Sequence, residues 1–287
     1  MNILITGCRG QLGSEIQQLQ KERTHTHVFY NTDREELDIT SPDAIEAFVG
    51  THKIDLIINC AAYTAVDKAE SDQENANRLN HLAPAYLAEA MNRHGGSLIH
   101  ISTDYVFDGK AYLPYREDAP TAPTTVYGKT KLQGEEAAKK LCTKTMIIRT
   151  AWLYSIHGNN FVKTMLRLGR ERTQLGVVAD QIGSPTNASD LAEAIWTIIE
   201  KGIVPGTYHY TNEGVASWFD LAAAIHRIGG ITTCTLSPLR TEEYPVPAPR
   251  PHYSVLDKRK LKDTYAITIP WWEDSLKKCI DQLSLNA

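Results

Sequence analysis

The chain opens with an apolar run, Asn2-Ile3-Leu4-Ile5-Thr6, that breaks directly into Gly7-Cys8-Arg9-Gly10-Gln11-Leu12-Gly13 and resumes at helical spacing through Ser14-Glu15-Ile16-Gln17-Gln18-Leu19. Strand, glycine turn and helix, in that order, constrain the fold more than any other feature. Glycines let the backbone turn tightly and come close to an anion, while the helix N-terminus offers unpaired N–H groups and the positive end of its dipole. Gly7, Arg9, Gly10, Gln11, Leu12 and Gly13 are therefore candidate ligands of a dinucleotide pyrophosphate. Roughly twenty residues further on, Asp33 stands where an acid holds the adenosine ribose hydroxyls. Its neighbour Arg34 matches a 2′-phosphate, so the pair argues for NAD and for NADP at once and leaves NADPH and NADH both open. Asp38 and Ile39 fall where the chain passes an adenine. Cys60, Ala61, Ala62, Tyr63 and Thr64 leave the third strand, with small residues that let a cofactor approach the backbone or a helix pack closely.

The same reading extends along the chain. Apolar runs at Asn2–Thr6, His27–Asn31, Ile54–Asn59, Ser97–Ser102, Thr145–Arg149, Gln174–Val178 and Gly206–Tyr210 alternate with segments of helical period. Most lack strict alternation, as strands covered on both faces do. The expected fold is α/β: a Rossmann-type doubly wound parallel sheet of about seven strands with a smaller, mixed C-terminal lobe. Residues 1–150 make the dinucleotide-binding domain, with further sheet elements around 174–210. Residues 151–173 and 211–287 mainly make the substrate-binding lobe. Ser41-Pro42-Asp43 and Ser217-Trp218-Phe219-Asp220 announce helix starts by capping chemistry. Tyr244-Pro245-Val246-Pro247-Ala248-Pro249-Arg250-Pro251 admits neither helix nor central strand and should run extended at the surface.

Composition narrows the function classes. A net charge of −4 with no basic excess gives nucleic acid nothing to bind. Five scattered cysteines, without C-x-x-C spacing, suggest neither a disulfide framework nor a zinc site and fit a reducing compartment. The first residues carry no basic and apolar leader pattern, and no run approaches the roughly 18 apolar residues of a membrane span. A cytoplasmic protein without membrane or nucleic-acid partners is expected.

Tyr127-Gly128-Lys129-Thr130-Lys131 is the chain's Y-x-x-x-K and begins a helix-compatible run, which puts Tyr127 and Lys131 on one face. A free phenol titrates near about 10, so a nearby ammonium and the nicotinamide's charge are expected to bring Tyr127 toward its working range as an acid–base group. Lys131 is also placed to hold the ribose. The fourth strand ends in Ser102-Thr103-Asp104-Tyr105 at the carboxyl edge of the sheet, where open α/β folds bind ligands. Thr103 is the third catalytic candidate, its hydroxyl steadying a developing oxyanion.

The glycine turn, spaced G-x-x-G-x-x-G, the segment from Ser102 to Phe107 and the Tyr127–Lys131 pair together resemble the extended short-chain dehydrogenase/reductases that act on nucleotide sugars. Ala61 to Glu70, Val126 to Lys131 and Gly158 to Met165 are similar to the dTDP-4-dehydrorhamnose reductase family within them, over nearly the whole chain. That resemblance implies reduction of the C4 ketone of dTDP-4-dehydro-L-rhamnose by NAD(P)H, with Tyr127 as proton donor. It also implies sugar contact by Trp152 and Asn160 and by Thr103, Asp104 and Tyr105. An aromatic face suits a pyranose, and a large indole is also an ordinary core residue. Arg250 matches a diphosphate as readily as it suits solvent. Some family members dimerise through a divalent metal held by carboxylates of the first helix and a later loop. Glu15 is present here, but Ser189 stands where an acid is expected and Pro249 brings no side-chain oxygen, so Mg2+ is not expected and a monomer or weak homodimer is. An epimerase or 4,6-dehydratase of the same fold, or a non-catalytic dinucleotide-binding subunit, are the competing readings.

Overall fold

The first apolar run becomes strand β1 (Asn2–Thr6), with Ile3, Leu4 and Ile5 fully buried in a computed structural model that describes residues 1–285. The strands that follow are β2 (Val28–Thr32), β3 (Leu56–Asn59), β4 (Ser97–Thr103), β5 (Thr145–Thr150), β6 (Gln174–Val178), β7 (Gly206–His209) and β8 (Thr235–Leu239). Among them run α1 (Gln11–Glu22), α2 (Pro42–His52), α3 (Ala83–Arg93), α4 (Val126–Leu141), α5 (Phe161–Glu171), α6 (Ala188–Lys201), α7 (Trp218–Ile228), α8 (Arg259–Tyr265) and α9 (Trp272–Leu285). Six strands pair in parallel in the order β7-β5-β4-β3-β1-β2. The order reverses between β1 and β3, which opens a crevice at the carboxyl ends of these strands.

Alternation along β1 divides the core. Ile3 and Ile5 pack with α1 and α6 residues such as Ile16, Ile195 and Ile199, whereas Leu4 faces the other layer, among Ile45, Leu87 and Ala138 of α2, α3 and α4. A third apolar cluster, with Leu166 of α5, Leu221 and Ile225 of α7 and Leu276 of α9, forms the core of a smaller lobe. Each helix start that carried a sequence signal is capped as expected. Ser41 accepts from the amide of Ala44, and Ser217 with Asp220 completes a capping box.

The sheet has six strands rather than about seven. β6 leaves it and pairs in parallel with β8 in a separate two-stranded sheet. Its sequence, Gln-Leu-Gly-Val-Val, explains why: Leu175 and Val177 are buried while Gln174 and Gly176 are exposed. A strand with one wet face has no place between two helical layers. Position six belongs instead to β7, where Tyr208 and His209 are buried.

The smaller lobe is tied to α1. Ser155 donates to Glu15 at 2.7 Å, and Asn160 donates to Gln11 at 3.0 Å. Glu15 is buried, and that burial pushes its carboxyl above the usual range. It faces inward, to Ser155 of the smaller lobe. No helix among the described residues is long and apolar enough to cross a membrane.

Candidate active site

A cleft of about 870 Å³ follows the crevice from the glycine turn to the smaller lobe. Its floor at one end is the turn itself. Gly7 adopts φ +66°, and a Cβ there would lie 2.7 Å from the Ala61 amide nitrogen; at Gly13 it would lie 2.4 Å from the Gly7 carbonyl. Only glycine fits either position. Gly10 caps α1 without any side-chain hydrogen bond, so the first amides of the helix are left to whatever lies in the cleft. A dinucleotide pyrophosphate fits this cradle. Gly7, Gly10, Gln11, Leu12 and Gly13 line it, with Asp33, Arg34, Asp38 and Ile39 at the adenosine end and Cys60, Ala61, Ala62 and Thr64 along the β3 edge. Asp33 accepts from the amides of Arg9 and Arg34 at 3.2 and 2.8 Å, which fixes its carboxylate beside the turn. Arg34 is exposed on the rim and, among the described residues, enters no salt bridge.

Two expected cofactor residues point elsewhere. The Arg9 guanidinium is paired with Glu35 and Glu36 outside the cleft, and the Tyr63 hydroxyl donates to Asp72 at 2.9 Å. Tyr63 instead anchors the loop after β3, because its amide and carbonyl are both bonded to the buried Asn80 side chain.

Thr125 caps α4 by accepting from Gly128 at 3.0 Å, and this aims the first turn, with Tyr127, at the end of β4. Tyr127, Lys131, Thr103, Asp104 and Tyr105 all line the cleft there. Burial pushes the Tyr127 phenol up to about 12, with hydrogen bonding to Thr103 pulling the other way and Asp104 adding to the rise. The expected depression of this phenol by the ammonium is not what the geometry produces. The Lys131 nitrogen donates instead to the Ile101 carbonyl at 2.6 Å and lies 3.4 Å from the His100 ring. A phenol that stays protonated is the right state for donating a proton. Burial also draws Lys131 down to about 8 and raises Asp104 to about 6. Asp104 accepts from the Thr103 hydroxyl at 2.9 Å, and the Tyr105 ring meets Tyr127 edge-on at 5.4 Å.

Trp152 lines the far wall at φ +50°, a left-handed conformation that a bulky residue rarely holds. It is held by stacking: its ring lies 3.7 Å from that of Trp218 at an angle of 12°. Asn160 lies behind this wall as the cap of α5, and the proline-rich segment runs without regular structure. Arg250 is not free there, being paired with Asp67 at 2.6 Å across the two lobes.

Several residues of the site were not singled out from the sequence. Trp218 sits inside a helix-start signal that hides its aromatic face. His100 and Arg149 interrupt the apolar runs of β4 and β5, and a titratable residue inside a doubly covered strand was the available signal. Arg149 pairs with Glu135 at 2.7 Å, both essentially without solvent, and Ser102 donates to the same carboxylate at 2.5 Å. Glu135 follows Lys131 by one turn, so this pair braces the helix that carries the catalytic candidates.

With this geometry in place, the likeness to known proteins is specific. Residues 1–285 match the family model described as the RmlD substrate binding domain. The dTDP-4-dehydrorhamnose reductase of Escherichia coli K12 is 41% identical over 294 residues, covering 99% of this chain and 98% of that one. A crystal structure of a dTDP-4-dehydrorhamnose reductase from Clostridium acetobutylicum superposes with a TM-score of 0.94 at 44% identity, over 99% of this chain and 100% of that one. One from Bacillus anthracis, in complex with NADP, gives 0.93 at 40%, over 98% and 99%.

Proposed function

The chain belongs to the dTDP-4-dehydrorhamnose reductase family, and from that premise we infer that it reduces the C4 ketone of dTDP-4-dehydro-L-rhamnose to dTDP-L-rhamnose with NADPH. The observation that carries this reading is the convergence of the buried Tyr127 phenol, Thr103 and Lys131 on one end of the cleft, at the carboxyl end of β4. NADPH, when bound, supplies the hydride that reaches C4. Tyr127 gives its phenolic proton to the carbonyl oxygen as charge builds there. The Thr103 hydroxyl turns its one hydrogen from Asp104 to the same oxygen, and both groups act in a site from which burial has removed most water. Lys131 holds the nicotinamide ribose from the next turn of α4. The glycine turn receives the pyrophosphate, and Arg34 at the open rim pairs with the 2′-phosphate.

Trp152 offers an aromatic wall to the sugar, and Tyr105 lines the cleft edge-on to the phenol. Dehydration of a dTDP-hexose calls for a carboxylate base at the position Tyr105 occupies, and a buried phenol pushed above its ordinary value is a poor base for a C–H proton. The protein is read as a cytoplasmic monomer or weak homodimer that takes a dTDP-sugar and uses NADH as well as NADPH, without magnesium. The test is direct. With NADPH and dTDP-4-dehydro-L-rhamnose, absorbance of the reduced nicotinamide falls; with dTDP-glucose and catalytic NAD, no 4-keto-6-deoxy product forms. The reverse pattern overturns the reading.

A further inference from the structure

The adenosine end of the cleft carries an arginine that the reaction as described does not use. The short helix Gln73–Asn77 runs into a single π-helical turn, Arg78–Leu82. Widened turns of this kind recur at functional sites. Here the turn sends Asn80, fully buried, to the Tyr63 backbone and leaves Arg78 and Leu79 on the cleft wall. Leu37, Ile39 and Ala61 line the cleft as well, and with Leu79 they belong to or pack against one apolar cluster. A flat apolar ring finds a floor there.

Arg78 is exposed, and a long exposed side chain ordinarily gains little by holding one geometry. This one is held at both ends of its fork. One terminal nitrogen donates to the Thr40 hydroxyl at 3.1 Å and the other to the Asn75 side-chain oxygen at 3.4 Å. Thr40 in turn donates to Asp38 at 2.7 Å. The guanidinium thus ties the loop after β2 to the helix after β3, yet among the described residues it enters no salt bridge. Asp38 feels it from nearby: hydrogen bonds from Thr40 hold that carboxyl below its usual range, and the charges of Arg34 and Arg78 add to the effect. A guanidinium whose edge is occupied still offers a flat cationic face, and such a face suits an aromatic ring.

The two arginines stand at different parts of an adenosine. Arg34 follows Asp33, at the ribose. Arg78 is tied to Thr40, next to the Asp38-Ile39 segment expected at the base. We propose that Arg78 caps the adenine ring of the dinucleotide over the apolar floor of Ile39 and Leu79, and so contributes affinity that does not depend on a 2′-phosphate. Arg34 then discriminates between NADPH and NADH, while Arg78 holds both. This rests on the dinucleotide reading of the cleft and not on which sugar is reduced.

Fluorescence titration of the full chain with NADH and with NADPH, without sugar substrate, tests it. Arg78→Ala should raise the dissociation constants of both by the same factor, about three- to fivefold, the scale of a cation–π contact near the surface. Arg78→Gln keeps an N–H donor for Thr40 but no charge, and should bind as weakly as the alanine variant. Recovery in the glutamine variant would mean that Arg78 only ties the Thr40 loop, and overturns the proposal. A loss confined to NADPH would put Arg78 at the 2′-phosphate and overturns it too, as does unchanged binding of both. If the native protein binds neither dinucleotide, the reading of the cleft itself falls and the proposal with it.

Discussion

At the residue scale the site separates into groups whose chemistry can be read from the chain and groups whose surroundings decide their state. Tyr127 belongs to both. Its spacing to Lys131 put the two on one helix face, and the helix delivers them to the same end of the cleft. The protonation of the phenol was not legible, because it follows from burial and from where the Lys131 nitrogen is bound. Tyr127→Phe removes the proton donor while leaving the ring in place. Turnover should fall by about 10²-fold or more, with the dissociation constant for NADPH nearly unchanged by fluorescence titration. Near-normal turnover would take Tyr127 out of the mechanism. Arg34 and Arg250 show the opposite outcome for two arginines that looked alike in sequence. Arg34 stands on the rim and, among the described residues, enters no salt bridge, while Arg250 is claimed by Asp67, whose carboxyl that pairing holds below its usual range. Arg34→Ala should therefore raise KM for NADPH far more than KM for NADH, and equal effects on the two would show that it does not meet the 2′-phosphate.

At the scale of elements, the strands and caps were legible where one local rule acted alone. β1 through β5 start and stop within two residues of the apolar runs that announced them. β6 was misplaced because a five-residue apolar run carries no statement of its partner. Its alternation was the only clue that one face would be wet. The segment joining the short helix Gln73–Asn77 to α3 shows another limit: Arg78–Leu82 is π-helical, and the widened turn puts Asn80 beneath the Tyr63 backbone. No sequence periodicity announces an extra residue in a turn. α4 is the element on which most chemistry depends, and Thr125 sets its start. Thr125→Ala should lower stability by about 1 kcal/mol through loss of the cap. The same change should reduce kcat at substrate and cofactor saturation, since the freed first turn carries Tyr127. Denaturant melting together with saturation kinetics checks both, and full kcat in the destabilised variant would show that the cap does not hold the catalytic turn.

For the whole molecule, the buried imidazoles couple stability to pH. His209 is pushed down to about 3, first by burial and then by Arg149. In the unfolded chain the same ring takes up a proton near about 6.5, so below that pH the unfolded state binds more protons than the folded one. The stability His209 confers is complete above about 6.5 and is lost as pH falls toward 3. Asp104 acts in the opposite sense: its carboxyl, raised to about 6, keeps its proton in the folded state where the unfolded chain has released it, between about 4 and 6. His209→Gln should flatten the fall of unfolding free energy between pH 6 and pH 4 by up to about 1.4 kcal/mol per pH unit, measured by urea melts at several pH values. An unchanged slope would mean that His209 titrates normally in the fold.

The ties between α1 and the smaller lobe matter for anyone who recombines this chain with a relative. A junction near residue 150 looks natural, since the parallel sheet is nearly complete there. It also parts Glu15 from Ser155 and Gln11 from Asn160. A chimera built across it inherits a buried carboxylate without its donor, a defect of about 1–3 kcal/mol, unless both sides of each contact are drawn from the same parent.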